Sequence, residues 1–191
     1  MTREILDKTA LRAQMKQTLA ALTVEEKKYL SRKLVEKIEA WQEWRYAKNI
    51  LLFMPLPSEP DIRQLMGYLA DNQKSISLPR FDPNTQQYCA AKISHITSDL
   101  RYGQFKILEP SPECACVPIN QLDMILVPGL GFDLQGRRLG RGKGFYDRLL
   151  SAATGLRCGV GFDEQILPNI PVEAHDVKLD WVLTPARLFG T

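Results

Sequence analysis

The sequence has little that would commit it to a specialised class: two histidines, four cysteines, 8% aromatic residues and a formal net charge of only +3. Each scarcity excludes something. Cys114 and Cys116 form a lone C-x-C with no second pair and no nearby histidine, so the four soft ligands of a structural zinc site are missing. The first eight residues mix acid and base without an apolar core, so no secretory leader is expected, the address is read as cytoplasmic, and Cys89, Cys114, Cys116 and Cys158 are expected to be reduced thiols. The longest apolar runs, Ile50–Pro57 and Met124–Phe132, fall well short of the roughly 20 residues that span a bilayer, and both contain Pro or Gly. A membrane role is therefore not expected. Nor does +3 spread over 191 residues suffice for a nucleic-acid surface.

What remains is an ordinary globular composition. With 191 residues and 45% hydrophobic side chains, the chain can bury roughly 70% of its unfolded surface in one domain, residues 1–191, without metal or disulfide staples. Leu11, Met15, Leu19 and Leu22 recur at helical spacing, Thr23-Val-Glu-Glu26 is a capping-box pattern, and Leu30, Leu34, Ile38 and Trp41 predict a second helix. Ile50–Met54 then reads as a strand buried on both faces. A helix is predicted over 61–70, strands over 75–79 and 88–93, a second buried strand over 124–127, a helix over 143–152, and strands over 158–162 and 181–184. The Pro-rich stretch 109–118 reads as a surface connection. Apolar strands alternating with amphipathic helices imply an α/β fold: a three-layer α/β/α sandwich around a mostly parallel, Rossmann-like sheet. In such sheets ligands lie beyond the carboxyl ends of the strands, so the segments after Met54, Val127 and Phe162 should share a crevice.

The small net charge is unevenly placed. Arg137, Arg138, Arg141, Lys143 and Arg148 stand against Asp147 alone within twelve residues, and the rest of the chain is slightly acidic. Gly136, Gly140, Gly142 and Gly144 interleave with these bases, which suits close approach of backbone N–H groups to an anion. The loop is neither a Walker P-loop, because Gly142-Lys143 is preceded at the required position by Arg137 and followed by Gly144, nor a dinucleotide fingerprint, because the last glycine spacing is wrong. Paired guanidinium donors such as Arg138 and Arg141 suit a transferring phosphoryl group, and magnesium would need a carboxylate such as Asp147. An ion pair of Asp147 with Arg148 is the plainer alternative.

Leu126-Val-Pro-Gly-Leu-Gly-Phe-Asp133, Gly136 and Arg138-Leu-Gly-Arg-Gly-Lys-Gly-Phe-Tyr-Asp147 closely resemble the signature of the 5-formyltetrahydrofolate cyclo-ligase family. Lys8-x-x-Leu11-Arg12, Glu59, Ile107-Leu-Glu-Pro110, His175-Asp176 and Asp180 also fall where that family has its marks, so the resemblance spans nearly the whole chain. It implies ATP- and magnesium-dependent conversion of 5-formyltetrahydrofolate to 5,10-methenyltetrahydrofolate, with no nucleic-acid or membrane partner and a monomeric protein. By the same resemblance, Lys8, Thr9, Ala10, Leu11 and Arg12 contact ATP, and Arg138, Leu139, Gly140, Arg141, Gly142, Lys143, Gly144, Phe145 and Tyr146 wrap its triphosphate. Met54 and Glu59, with Arg141, Gly142, Lys143, Gly144 and Phe145, face the folate; Arg141, Lys143 and Tyr146 act in catalysis; Asp147 and Asp180 hold Mg2+. Glu59 could equally cap a helix starting near Asp61. Phe145 departs from the family's tyrosine and keeps only its stacking surface. His95 and His175 are read as structural or solvated. The competing readings are a non-catalytic folate- or RNA-binding relative and a sugar-phosphate isomerase or acyl-CoA enzyme on a similar sheet.

Overall fold

The computed structural model of the chain describes residues 7–69, 74–103 and 107–191. Helix α1 (Lys8–Ala21) starts where the Asp7 carboxylate accepts the Ala10 N–H, and α2 (Val24–Ala40) starts at the capping box formed by Thr23 and Glu26 in both directions. A short α3 (Gln42–Tyr46) turns the chain into β1 (Asn49–Leu51). The strand is shorter than its apolar run because the chain leaves the sheet before Pro55 and Pro57. The helix predicted over 61–70 is a 3₁₀ helix over Arg63–Leu69, capped by Asp61 through the Arg63 N–H; Ile62 and Leu65 bury at the three-residue spacing of that tighter turn, and Gly67 disfavours an α-helix. Ala70 lies outside the described residues.

Next come β2 (Ser75–Asp82), β3 (Gln87–Ile93), α4 (Ile96–Asp99), β4 (Leu100–Tyr102), β5 (Leu108–Pro110) and β6 (Cys116–Val117). The stretch read as a plain surface connection thus carries the end of β5 and the edge strand β6. They are followed by β7 (Met124–Pro128), β8 (Gly131–Asp133), β9 (Arg138–Leu139), α5 (Phe145–Leu150), β10 (Leu156–Val160), β11 (Ile166–Leu167), β12 (Trp181–Leu183) and β13 (Leu188–Gly190). Helix α5 starts two residues later than predicted, because Gly142 and Gly144 take left-handed φ values of +99° and +62° that a helix excludes.

Eight strands form one sheet in the order β13-β12-β10-β7-β1-β2-β3-β6. The run β12-β10-β7-β1-β2 is parallel, and β13, β3 and β6 add antiparallel edges. One face, with Ile50, Ile76, Met124, Leu126 and Cys158, packs on Leu34, Val35, Ile38 and Trp44 of α2 and α3. The other, with Leu51, Ile125, Val127 and Val182, packs on Leu149 and Leu150 of α5 and on Phe132. These are the three expected layers. Helix α1 belongs to neither face: Leu11, Met15 and Leu19 pack on Leu130, Leu139, Phe162, Leu167 and Ile170 around a small second sheet, β11-β8-β9. One expectation is corrected here. Antiparallel pairing of β3 with β6 brings Cys89 to Cys116, and the two form a disulfide, leaving Cys114 and Cys158 as the free thiols. Their separation of 27 residues in sequence conceals this neighbourhood.

Candidate active site

After β1 the chain runs toward β2 on one side, and after β7 it turns to β10 on the other, so the carboxyl ends of β1 and β7 bound a topological switch point. A cleft of about 340 Å3 opens there. Met54 and Glu59 reach it from the loop after β1, Pro128 and Gly129 from the end of β7, and Gly140–Asp147 from the glycine loop. The third segment expected in the crevice is absent: Phe162 is buried under α1, and Gln165 instead donates from its side-chain amide to the Gly129 carbonyl, bracing the loop after β7. Residues Glu173, His175 and Asp176 take that wall.

The loop is aimed by its base. Asp133, fully buried, accepts N–H groups from Gln135, Arg137 and Ile170, which ties the β8–β9 turn to the segment beyond β11. Gly136 closes that turn at φ +76°, where a Cβ would stand 2.5 Å from the Leu179 carbonyl oxygen. Arg138 then points inward: its Nη2 lies 3.0 and 2.9 Å from the two Asp147 oxygens, its guanidinium lies over the Tyr146 ring, and its buried Nε has no hydrogen-bond partner among the described residues. Asp147 therefore pairs with Arg138 and not with Arg148. Arg141 crosses the cleft. Its Nε and Nη2 lie 3.2 and 2.8 Å from Glu59 Oε1, while Glu59 Oε2 accepts the Leu56 N–H. Glu59 thus braces its own turn and Arg141, and the cap at Asp61 is Asp61 itself.

Docking of α1 brings Lys8 and Arg12 to the opposite rim. Lys8 Nζ lies 2.5 Å from Asp176 and 3.3 Å from Glu173, and Arg12 Nε donates to the Gly140 carbonyl at 3.0 Å. Burial favours the neutral form of Asp176, but Lys8 and the Glu173 N–H outweigh it and hold the carboxyl below its usual range. Phe145 leads from the glycine loop into an aromatic wall, 5.6 Å from the Phe81 ring and 5.1 Å from that of Tyr88. Burial pushes the Tyr88 hydroxyl up to about 12, with the Glu109 carboxylate adding to it. The Tyr146 hydroxyl is deeper still and is raised by burial and then by Glu59.

Lys8, Arg12, Met54, Glu59, Arg138, Gly140, Arg141, Gly142, Lys143, Gly144, Phe145, Tyr146 and Asp147 all line this cleft. Thr9, Ala10, Leu11 and Leu139 do not; Leu11 and Leu139 are core residues that seat α1 on the loop's base. Asp180 lies apart from the cleft. It precedes β12 opposite Arg157, at the amino ends of the parallel strands, and a carboxylate–guanidinium pair with Arg157 at 2.8 Å satisfies it. Of the two expected magnesium ligands, Asp147 lines the cleft and Asp180 does not, and among the described residues no three or more His, Cys, Asp or Glu side chains cluster as a metal site. Tyr88, Glu109, Glu173 and Asp176 line the cleft without having been given a role from sequence. The Ile107–Pro110 and His175-Asp176 marks were the available signals.

Fold and site together define an α/β protein with a glycine-lined cleft, walled by five basic and five acidic side chains, at the switch point of its sheet. No helix among the described residues is long and apolar enough to cross a membrane. The model of the 5-formyltetrahydrofolate cyclo-ligase family matches residues 4–185, and the chain belongs to that family. It is 33% identical to the mouse 5-formyltetrahydrofolate cyclo-ligase over 92% of both chains, and 28% identical to the Escherichia coli K12 enzyme of that name over 92% of this chain and 98% of the other. Among solved structures, the 5,10-methenyltetrahydrofolate synthetase of Aquifex aeolicus superposes with a TM-score of 0.86 at 32% identity, over 96% of this chain and 92% of that one. The Mycoplasma pneumoniae synthetase gives 0.76 at 27% identity, over 94% and 99%.

Proposed function

We propose that the protein converts 5-formyltetrahydrofolate to 5,10-methenyltetrahydrofolate at this cleft, with ATP cleaved to ADP and phosphate. The observation that carries the reading is the meeting of the cationic glycine loop with the Met54–Glu59 segment through the Arg141–Glu59 pair, which joins an anion site to an apolar, carboxylate-edged one. A formyl amide resists attack because the nitrogen lone pair is delocalised into the carbonyl and its oxygen leaves poorly. Phosphorylation of that oxygen by ATP removes both obstacles. The N10 amine of the same molecule then closes the ring and expels phosphate, with the gain in effective concentration of a held nucleophile.

The protein's share is positioning and charge. Backbone N–H groups of the loop at Gly142 and Gly144, with Arg141 and Lys143, meet the negative charge of the transferring phosphoryl group. Lys8 and Arg12 hold the polyphosphate from the α1 side, so that α1 and the loop form two jaws. Glu59 orients Arg141 and offers acceptors to the ring N–H edge of the pterin. Phe145 supplies stacking surface through its contacts with Phe81 and Tyr88, and no hydroxyl is needed for that role. For magnesium the residues fit in part: Asp147 lines the cleft and would hold the ion together with phosphate oxygens, sharing its charge with Arg138, whereas Asp180 would not. The ion would neutralise charge on the polyphosphate. The reading takes the chain as a single-domain monomer in the cytoplasm.

The test is to mix protein, 5-formyltetrahydrofolate, ATP and magnesium and to follow the near-ultraviolet absorbance of the methenyl product. ATP-dependent product is expected. Product without ATP, or binding of both substrates without turnover, would overturn the assignment.

A further inference from the structure

Five carboxylates line the cleft, and four of them face a cation: Glu59 meets Arg141, Asp147 meets Arg138, and Glu173 and Asp176 meet Lys8. Glu109 is the exception. Its residue is only 7% exposed, its Oε2 accepts the Phe81 N–H at 3.1 Å, and its Oε1 has no hydrogen-bond partner among the described residues. Its seat is shaped for it: a Cβ at Gly103 would stand 2.6 Å from the Glu109 carboxyl carbon. The seat also adjoins the reactive end of the cleft, because Phe145, which directly follows the glycine loop, packs on Phe81, the residue whose N–H holds Glu109.

Ring closure needs a proton acceptor that no residue assigned above provides. N10 is a secondary amine, and the nitrogen that has attacked carbon carries one proton too many until a base removes it. We propose that Glu109 is the general base of the ring-closing step; this rests on the cyclo-ligase reading. The N10 lone pair forms the carbon–nitrogen bond to the phosphorylated formyl carbon, the N10 proton passes to Glu109 Oε1, and the carbon–oxygen bond breaks with its electron pair leaving on phosphate. The methenyl cation remains, its charge shared between N5 and N10, and Glu109 returns its proton to water. Burial raises the Glu109 carboxyl above its usual value, and the Phe81 N–H opposes that only in part, so the group gains the proton affinity a base requires. Among the described residues, the titratable groups nearest it are Tyr88 from β3 and Arg101 in register from β4, with Arg80 and Asp82 flanking Phe81 on β2.

The experiment measures ADP and methenyl product in parallel during the first turnover of Glu109→Gln, which keeps the acceptor for Phe81. Methenyl formation is expected to fall about 100-fold or more while folate-dependent ADP formation stays within about threefold. The wild-type closure rate should rise with pH through a limb that Glu109→Gln lacks. If that variant does not fold, Glu109→Asp decides: it should slow closure more than ADP formation and retain the pH limb. Closure at the wild-type rate, or equal loss of ADP and methenyl in a folded variant, overturns the proposal. Wild-type protein that makes no methenyl product at all sinks the cyclo-ligase reading instead, so the two failures are distinct.

Discussion

Two arginine–aspartate pairs stand at opposite ends of the central sheet. Arg138–Asp147 lies at the carboxyl ends of the parallel strands, with side chains 5% and 13% exposed; Arg157–Asp180 lies at the amino ends, with side chains 27% and 39% exposed. Their chemistry is the same and their contact distances nearly so. What differs is the surroundings. The first pair is walled by Tyr146 and the cleft, so its charges are desolvated and aimed at whatever fills that space, while the second borders water and ties β10 to β12. The pair of residues does not define a site; its end of the sheet does, because only there do loops diverge and leave a crevice.

Substitutions at the two ends of the sheet should differ sharply in their effect on turnover. Arg141→Ala should lower turnover roughly 100- to 1000-fold by removing a donor to transition-state charge. Circular dichroism should show the fold retained, because Glu59 keeps the Leu56 N–H. Asp147→Asn should lower turnover by a similar order and, because it leaves a nearly buried Arg138 short of its counter-charge, should also cost about 1–3 kcal/mol in urea unfolding. Lys8→Met should raise KM for ATP about tenfold, with a smaller change in kcat, by loosening α1 from the wall at Asp176. Asp180→Asn is the contrasting case. It should leave turnover within about twofold and cost no more than about 1 kcal/mol, as a partly exposed pair does. A large loss of magnesium-dependent activity there would restore it as a ligand.

The smallest effect is in pH. Burial favours protonation of Asp180, but the bonds to Arg157 outweigh it and its folded carboxyl lies below the ordinary 3.8. The stability it contributes is therefore fully present above 3.8 and is lost as pH falls through the lower folded value. The difference in urea midpoint between wild type and Asp180→Asn should be constant from neutral pH down to that region and vanish below it. A difference that persists in strong acid would mean the pair acts through shape rather than charge.

Much of the fold was legible because it rests on local signals. The Leu11, Met15 and Leu19 stripe, the Thr23–Glu26 box and the apolar runs at β1 and β7 report their own secondary structure, since helix and strand periods are set by adjacent residues. The glycine loop was legible for the same reason: its bases and glycines are consecutive. The rest depended on meetings across the chain. The Cys89–Cys116 bridge needs β6 to pair with β3, Glu109 needs β5 to approach β2, and the wall at Glu173–Asp176 needs the loop between β11 and β12 to return to α1. Nothing in the spacing of these residues announces their neighbours.

Local patterning in the amino-acid sequence specifies an α/β chain with a +4 glycine loop set in a slightly acidic remainder, and from it an anion site is expected after β7. Tertiary structure alone decided which charges serve the site. Asp147 and Asp180 carry the same carboxylate, but strand direction sends one into the crevice and the other to the far edge. Glu109 lines the cleft held by the Phe81 N–H, with no ion pair to another described residue. The physical reason is that a side chain's chemistry is carried by its residue type, whereas its solvation and its partners are properties of the folded neighbourhood.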